Sequence, residues 1–208
     1  MFDLYLTLTE ASCAEQEVEA AAIERAQRDP MEFSAIYRQF VDRVFYYVLA
    51  KADSRGDAED ITAQVFLDAL ESLPRYRHRG HFAAWLFTIA RHRLADFYRQ
   101  NRAERLNADP GRRPGLRPSP TGPATTGSAP TEGVDPLGEI IEVEHLERLS
   151  KLVAELKEDE RELLRLRFAA GLNFAEIAAL QGRKESAIKM STYRLLARLN
   201  SQMEAGHA

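Results

Sequence analysis

Residues 57–103 read DAEDITAQVFLDALESLPRYRHRGHFAAWLFTIARHRLADFYRQNRA, and two helices of opposite character meet there across a short basic loop. The first is acidic on its outside. Asp60, Gln64, Asp68 and Glu71 recur at steps of three and four and so share a face, while Ile61, Val65, Ala69, Leu70 and Leu73 form an apolar stripe of helical period. Asp57 is the expected N-cap, Glu59 and Asp60 suit the helix dipole, and Pro74 ends the helix. The second helix, from about Phe82 to Arg102, is basic and aromatic: Phe82, Leu86, Ile89 and Phe97 pattern its buried side, and Arg91, His92, Arg99 and Arg102 lie near one another on the opposite side. Residues 75–105 carry eight arginines against only Asp96 and Glu104, in a chain whose net charge is −4. Cations concentrated in a few turns of an acidic protein suggest a phosphate-facing patch. Trp85, Phe87, Phe97 and Tyr98 lie among them, and aromatics beside arginine can stack on unpaired bases. An Arg-rich solvated helix with aromatics in its core is the plainer alternative.

Upstream, residues 18–28 (VEAAAIERAQR) predict a short helix. Asp29-Pro30, with Glu32 after it, is a strong signal for a new one. Phe33, Ile36, Tyr37, Phe40, Val44 and Val48 continue that helix to about Lys51, and Asp53-Ser54-Arg55-Gly56 reads as the turn into the acidic helix. The segment predicts a bundle of about four helices, preceded by an N-terminal extension over 1–17. Between Asn107 and Gly138 stand seven of the nine prolines and six glycines, a composition that cannot bury a core and reads as a flexible linker. About 32 residues of coil span on the order of 30 Å, and up to about 100 Å when stretched.

Residues 139–202 predict a second helical domain. Ile141, Leu146, Leu149, Leu152 and Val153 pattern one helix, and a second opens at Lys157 and runs through Leu163, Leu166 and Phe168 to Gly171. Asn173 and Glu176 make a capping-box arrangement for a short helix that ends at Gly182. A longer helix, ESAIKMSTYRLLARLN, follows. Helix, tight turn with glycine and helix is the helix-turn-helix pattern. Ile188, Leu195 and Leu199 form the packed side of the longer helix. Ser186, Lys189, Met190, Tyr193 and Arg194 fall on the face that would enter a major groove. Lys189 and Arg194 can reach phosphates or guanine edges, and Tyr193 and Met190 offer apolar contact.

Composition excludes several classes. No run approaches the eighteen apolar residues of a membrane span, and MFDLYLTLTEASCAEQEVEA lacks the basic start of a signal peptide, so a cytoplasmic protein without membrane insertion is expected. Cys13 is the only cysteine, which rules out an internal disulfide and a cysteine-based zinc site, and nothing basic flanks it to activate the thiol. An enzyme would have to use His78, His81 and His92 as metal ligands. No HExxH or carboxylate trio supports that, and the neighbouring arginines repel a cation. Neither metal, cofactor nor catalytic residue is expected.

The order DAEDITAQVFLDAL, basic loop, FAAWLFTIARHRLADFYRQNR closely resembles conserved region 2 of the extracytoplasmic-function (ECF) sigma factors. These are small promoter-specificity subunits of bacterial RNA polymerase. LVAELKEDERELLRLRFAAGLNFAEIAALQGRKESAIKMSTYRLLARL resembles their region 4. The likeness covers roughly 18–103 and 140–202. It implies an all-α fold of two small helical domains, region 2 over 18–105 and region 4 over 139–202, joined by a flexible linker over 106–138. It implies a non-enzymatic subunit that binds core polymerase through the β′ clamp helices and the β flap, recognises the −10 and −35 elements and promotes melting. An anti-sigma factor is a further candidate partner. Carried over residue by residue, Asp60, Gln64 and Phe66 would meet the β′ clamp helices. Residues 75–92 would open and capture the −10 non-template strand, with Arg75, Arg77, Arg79, Arg91, His92 and Arg99 as candidate contacts. Lys184, Ser186, Lys189, Met190, Tyr193 and Arg194 would face the −35 element. Two departures stand out. His92 replaces the asparagine of many members, which changes the donors and acceptors offered to a flipped base. Met190 and Ser191 occupy positions that are often polar and basic respectively. The competing reading is a helix-turn-helix regulator acting on duplex DNA without polymerase. It accounts for 173–199 and leaves the Arg-aromatic segment without a role.

Overall fold

The acidic and basic helices of the opening stretch pack directly on one another and form the centre of an N-terminal lobe. The computed structural model describes residues 12–77, 81–107 and 136–205, with side chains over 20–77, 81–103 and 145–205. The described residues form helices and turns with no strand: α1 (Ser12–Arg28), a 3-10 turn (Pro30–Glu32), α2 (Phe33–Leu49), α3 (Arg55–Ser72), a 3-10 turn (Leu73–Arg75) and α4 (Phe82–Asn107). Then come α5 (Pro136–Ala154), α6 (Glu158–Leu164), a π-helical turn (Arg165–Ala169), α7 (Phe174–Gln181) and α8 (Glu185–Glu204). The expected linker falls almost wholly outside the described residues, as do Cys13's side chain, His78 and Arg79.

Local chemistry sets the helix ends. Asp29 caps the Pro30 turn, its Oδ1 accepting from the Met31 amide at 2.9 Å. The start of α3 differs from the expectation. Ser54, not Asp57, is the N-cap: its Oγ accepts from the Asp57 amide at 3.1 Å and donates to Asp57 Oδ2 at 2.6 Å. Arg55 and Gly56 therefore belong to the helix, and Asp57 sits one turn in, where a carboxylate suits the positive end of the dipole. Asn173 and Glu176 do form a reciprocal capping box, at 2.8 and 2.7 Å, and Gly182 closes α7 in the left-handed region at φ 64°. Glycine takes that conformation without the penalty a Cβ would bring.

The core departs from the two separate cores that the linker suggests. One cluster of buried residues runs from Ile36, Phe40, Val44 and Tyr47 on α2 through Val65 and Leu86 to Leu166, Leu172, Ile177 and Ile188 of the C-terminal lobe. Among the described residues, Leu156, Leu195 and Leu199 form a separate small cluster at the far side of α8. The helix-turn-helix cannot bury all its apolar surface on itself, and it covers the remainder against α2 and α4. Phe87, read as one of several aromatics among cations, is fully buried against Tyr47 with ring centroids 5.2 Å apart. Phe168, read as part of the helical pattern to Gly171, is 54% exposed because the π-helical turn rotates it out of the packed face.

Candidate nucleic-acid interface

The basic loop is anchored from behind. Gln27 on α1 donates from Nε2 to the carbonyls of Leu73 and Tyr76, at 2.9 and 2.7 Å, and so fixes the chain where it leaves α3. Tyr76 then stacks against Trp85 and Phe82, with centroids 4.6 and 5.3 Å away, and Trp85 and Phe82 lie 5.1 Å apart. Phe82 is fully buried and Trp85 half-buried, so this trio is a platform under the loop. A polar residue 46 positions upstream carries no spacing signal, so Gln27 is not readable from the sequence as part of the site.

On that platform Arg75 and Arg77 are exposed, and Arg91, His92, Arg99 and Arg102 are exposed along α4. A depression of about 490 Å³ between α3 and α4 brings Arg75 and His92 together at its rim with Asp68, Glu71, Arg93 and Asp96. The structure thus unites two of the expected −10 contacts that lie 17 positions apart in sequence. The cations are not equivalent. Arg93 forks onto Asp68 through Nε and Nη2, and Arg99 pairs with Asp96. A fork-on-carboxylate pair has directional strength and holds both groups in place. The Arg93 guanidinium holds the Asp68 carboxyl below its ordinary value, and Asp68 raises Arg93 in turn. Asp68, read as part of an acidic exterior, is therefore the brace between α3 and α4. Tyr98 is 41% exposed and donates to the Lys51 carbonyl, tying α4 to the end of α2.

Of the expected polymerase contacts, Asp60 and Gln64 are exposed on α3, and Gln64 reaches Asp68 at 3.4 Å. Phe66 is not. It is 4% exposed, its ring packed edge-on against Tyr37 and Phe33 at 4.8 and 6.4 Å. Its apolar ring is better buried than presented, so it supports the face from beneath. The partly exposed Tyr37 and the exposed Leu67 are the apolar groups that reach the surface beside it.

In the C-terminal lobe Lys184, Ser186, Lys189, Met190, Tyr193 and Arg194 are all exposed, while Ile188, Thr192, Leu195 and Leu199 are buried. The expected recognition face is therefore open. Tyr193 leans on Phe174 of α7 at 6.0 Å, and Arg167 sits over the same ring at 4.9 Å. Arg183 reaches Ser191 at 3.3 Å, and Arg198 pairs with Glu160 at 2.8 Å, which holds α8 to α6 and depresses the Glu160 carboxyl. Among the described residues no group of His, Cys, Asp and Glu is arranged to hold a metal ion, and no helix is long and apolar enough to cross a membrane.

The two lobes meet through residues that periodicity does not single out. Arg43 on α2 donates from Nε to the Ala170 carbonyl at 2.7 Å and from Nη2 to the Gly171 carbonyl at 3.1 Å. Lys51 Nζ and Tyr47 Oη both donate to Glu162 on α6, at 2.6 and 2.7 Å. Burial and the Glu162 carboxylate push the Tyr47 phenol far up, so it stays a donor.

Comparison with known proteins agrees with this architecture. Residues 36–104 match the family described as Sigma-70 region 2, and residues 146–199 match Sigma-70, region 4. The ECF RNA polymerase sigma factor ShbA of Streptomyces griseus is 31% identical over 153 residues, covering 73% of this chain and 74% of its own. BldN of Streptomyces coelicolor, of the same description, is 31% identical over 181 residues, and the alignment takes in 83% of this chain and 61% of BldN. SigC of Mycobacterium tuberculosis is 29% identical over 84% of this chain and 85% of its own. Two solved structures share the fold: CnrH in complex with the cytosolic domain of CnrY, at TM-score 0.57 and 19% identity over 89% of this chain and 96% of that one, and the sigma factor RpoE in complex with the anti-sigma factor NepR from Bartonella quintana, at 0.54 and 20% over 83% and 97%. With both conserved regions matched in order and an ECF factor related over most of both lengths, the chain belongs to the ECF family of RNA polymerase sigma factors.

Proposed function

We propose that the described surfaces divide the work of a sigma factor as follows. The exposed face of α3, with Asp60 and Gln64 and the adjoining Tyr37 and Leu67, docks on core polymerase, and Phe66 supports it. Arg75, Arg77, Arg79, Arg91, His92 and Arg99 draw in and hold the melted −10 strand. Lys184, Ser186, Lys189, Met190, Tyr193 and Arg194 present α8 to the −35 duplex. Region 2 extends over 18–105, the linker over 106–138 and region 4 over 139–202. The protein works in the cytoplasm without catalysis of its own, and an anti-sigma factor is a partner, as NepR is of the Bartonella quintana sigma factor RpoE.

One observation carries the −10 reading: Arg75 and His92 line the α3–α4 depression together with the paired Asp68 and Arg93. A cation to attract the backbone thus stands beside a ring able to contact a base edge, next to a pair that braces α3 against α4. Base stacking and contacts of about 1–3 kcal/mol each are of the size needed against roughly 1.4 kcal/mol per opened stacking step. The test is run-off transcription with core polymerase and His92→Ala, on duplex promoter and on a promoter with a pre-melted −10 bubble, scanning each base of that element. Discrimination should weaken at one non-template position, with −35 recruitment intact. Unchanged preference at every position would leave His92 without a reading role.

A further inference from the structure

The turn of the helix-turn-helix carries a cation that no helical period assigns. Gly182 closes α7 in the left-handed region, its amide bonded to the Ala178 carbonyl, and the Arg183 amide returns to the same carbonyl at 3.0 Å. This double return fixes the Arg183 backbone at the entrance to α8. The exposed side chain then lies forward along α8. Its Nη2 reaches Ser191 Oγ at 3.3 Å, and its Nη1 reaches back to Gln181 Oε1 at 3.4 Å. Both contacts are long for hydrogen bonds, so they orient the guanidinium and leave it open to a stronger acceptor. Among the described residues no carboxylate pairs with it. Asp159 and Glu162 line a cleft together with Arg183, but Glu162 is held by Lys51 and Arg165.

Ser191, where the guanidinium is held, marks one edge of the recognition face. At about 100° per residue that face spans roughly 200° of α8, from Lys189 on one edge to Ser191 on the other, with Ser186, Met190, Tyr193 and Arg194 between them. A helix lying in a major groove about 12 Å wide meets a phosphate backbone along each of its edges. Lys189 supplies the cation for the first edge. On the second, α8 carries Arg198, and that group is committed to Glu160 at 2.8 Å. Arg183 therefore brings a charge to an edge where the helix's own cation is taken.

We propose that Arg183 is a further −35 contact: held at Ser191, it grips a phosphate of the strand that borders this edge of α8, opposite the strand met by Lys189. The planar fork of arginine suits a phosphate, which accepts two parallel N–H bonds stronger than those Arg183 makes to Ser191 and Gln181. A contact of this kind sets the depth and angle of α8 without reading a base. The inference rests on the placement of α8 at the −35 duplex given above.

The experiment uses holoenzyme assembled from core polymerase and the full chain, on promoter DNA whose −35 base pairs are substituted one at a time, over a range of salt concentrations. Arg183→Ala should weaken binding roughly fivefold at about 0.15 M salt, the factor that one released counterion contributes, and equally on every −35 sequence. The slope of log affinity against log salt should fall by about 0.9. Arg183→Lys should keep the slope. In the Arg183→Ala chain, Ser191→Arg should restore both affinity and slope, because it returns a guanidinium to the same edge from α8 itself. Where that change lowers helix content, Ala187→Arg, at an exposed position one turn earlier on the same edge, takes its place. Lys189→Ala and Arg194→Ala are measured in parallel. If they weaken binding and Arg183→Ala does not, the inference about Arg183 fails alone; if all three are silent, the placement of α8 fails and takes it along. A loss confined to one base pair would make Arg183 a base reader and overturn the phosphate assignment. A loss that neither replacement arginine restores would overturn its place at the Ser191 edge.

Discussion

At the scale of single residues, Asp68 shows how a group on an acidic surface becomes structural. Arg93 pairs with it across two helices, and the pair keeps the carboxyl ionised at lower pH than an ordinary aspartate. Arg165 does the same for Glu158, and Arg198 for Glu160. In each case the folded-state value lies below the unfolded one. The stabilisation is therefore fully present above the ordinary carboxylate range and is lost as pH falls through the depressed values. The midpoint of thermal unfolding should decline as pH drops below about 4, and Asp68→Asn should be less stable than the native chain at pH 7 and lose less on acidification. Parallel melting-temperature curves against pH for the two proteins would remove the Asp68–Arg93 pair from the account. Residues of this kind mark the limit of what a sequence reveals. Asp68 shares a helical period with Asp60 and Gln64, and nothing in that period tells which of the three has a partner 25 positions away. Phe66 and Phe87 pose the same problem for aromatics: the family resemblance offers the first as a polymerase contact and spacing sets the second among cations, while the partner helix alone decides that both are buried.

At the scale of elements the sequence is far more informative, because caps and periods are local. The capping box at Asn173 and Glu176, the turn at Gly182 and the packed side of α8 are all where the pattern puts them. The start of α3 slips by three residues because Ser54 and Asp57 are both competent caps and only the backbone chooses between them. Two predictions belong here. On α3, Asp60→Arg with Gln64→Arg reverses an exposed face and leaves Ile61, Val65 and Ala69 untouched. The fold should survive, and co-purification with core polymerase should be lost. A folded double variant that still binds would make this face a solvated one. On α8, Lys189→Ala and Arg194→Ala should each weaken holoenzyme binding to promoter DNA, by about 1–3 kcal/mol for a bidentate base contact. A phosphate contact would instead weaken all sequences alike and flatten the salt dependence. Titrations at two salt concentrations on matched and mismatched −35 duplexes separate the two, and no loss in either would take α8 out of the groove.

At the scale of the whole molecule the proline-rich segment suggests independence, and the packing supplies coupling. Leu166 is fully buried in a cluster that includes α2 and α4 of the other lobe. Leu166→Ala should cost about 2–5 kcal/mol, and hydrogen exchange should accelerate in α2 as well as in α7 and α8. Acceleration confined to the C-terminal lobe would mean that the lobes unfold separately. Long-range coupling of this sort leaves no trace in periodicity, because Arg43, Lys51 and Glu162 look like ordinary solvated charges until the fold brings them together. The π-helical turn at Arg165–Ala169 sets the phase of that meeting. Its Ala170 amide bonds five residues back, to the Arg165 carbonyl at 2.9 Å, so the segment carries one residue more than an α-helix needs. Glu162 and Ala170 stand eight positions apart, which a regular α-helix at about 100° per residue would set roughly 80° out of phase. The wide turn takes up the surplus residue, so Glu162 can face Lys51 while the Ala170 and Gly171 carbonyls still face Arg43 on the same side. The turn thus works as a vernier: a chain with one residue deleted here should keep both contacts on a regular helix, whereas one with a residue added should lose one of them.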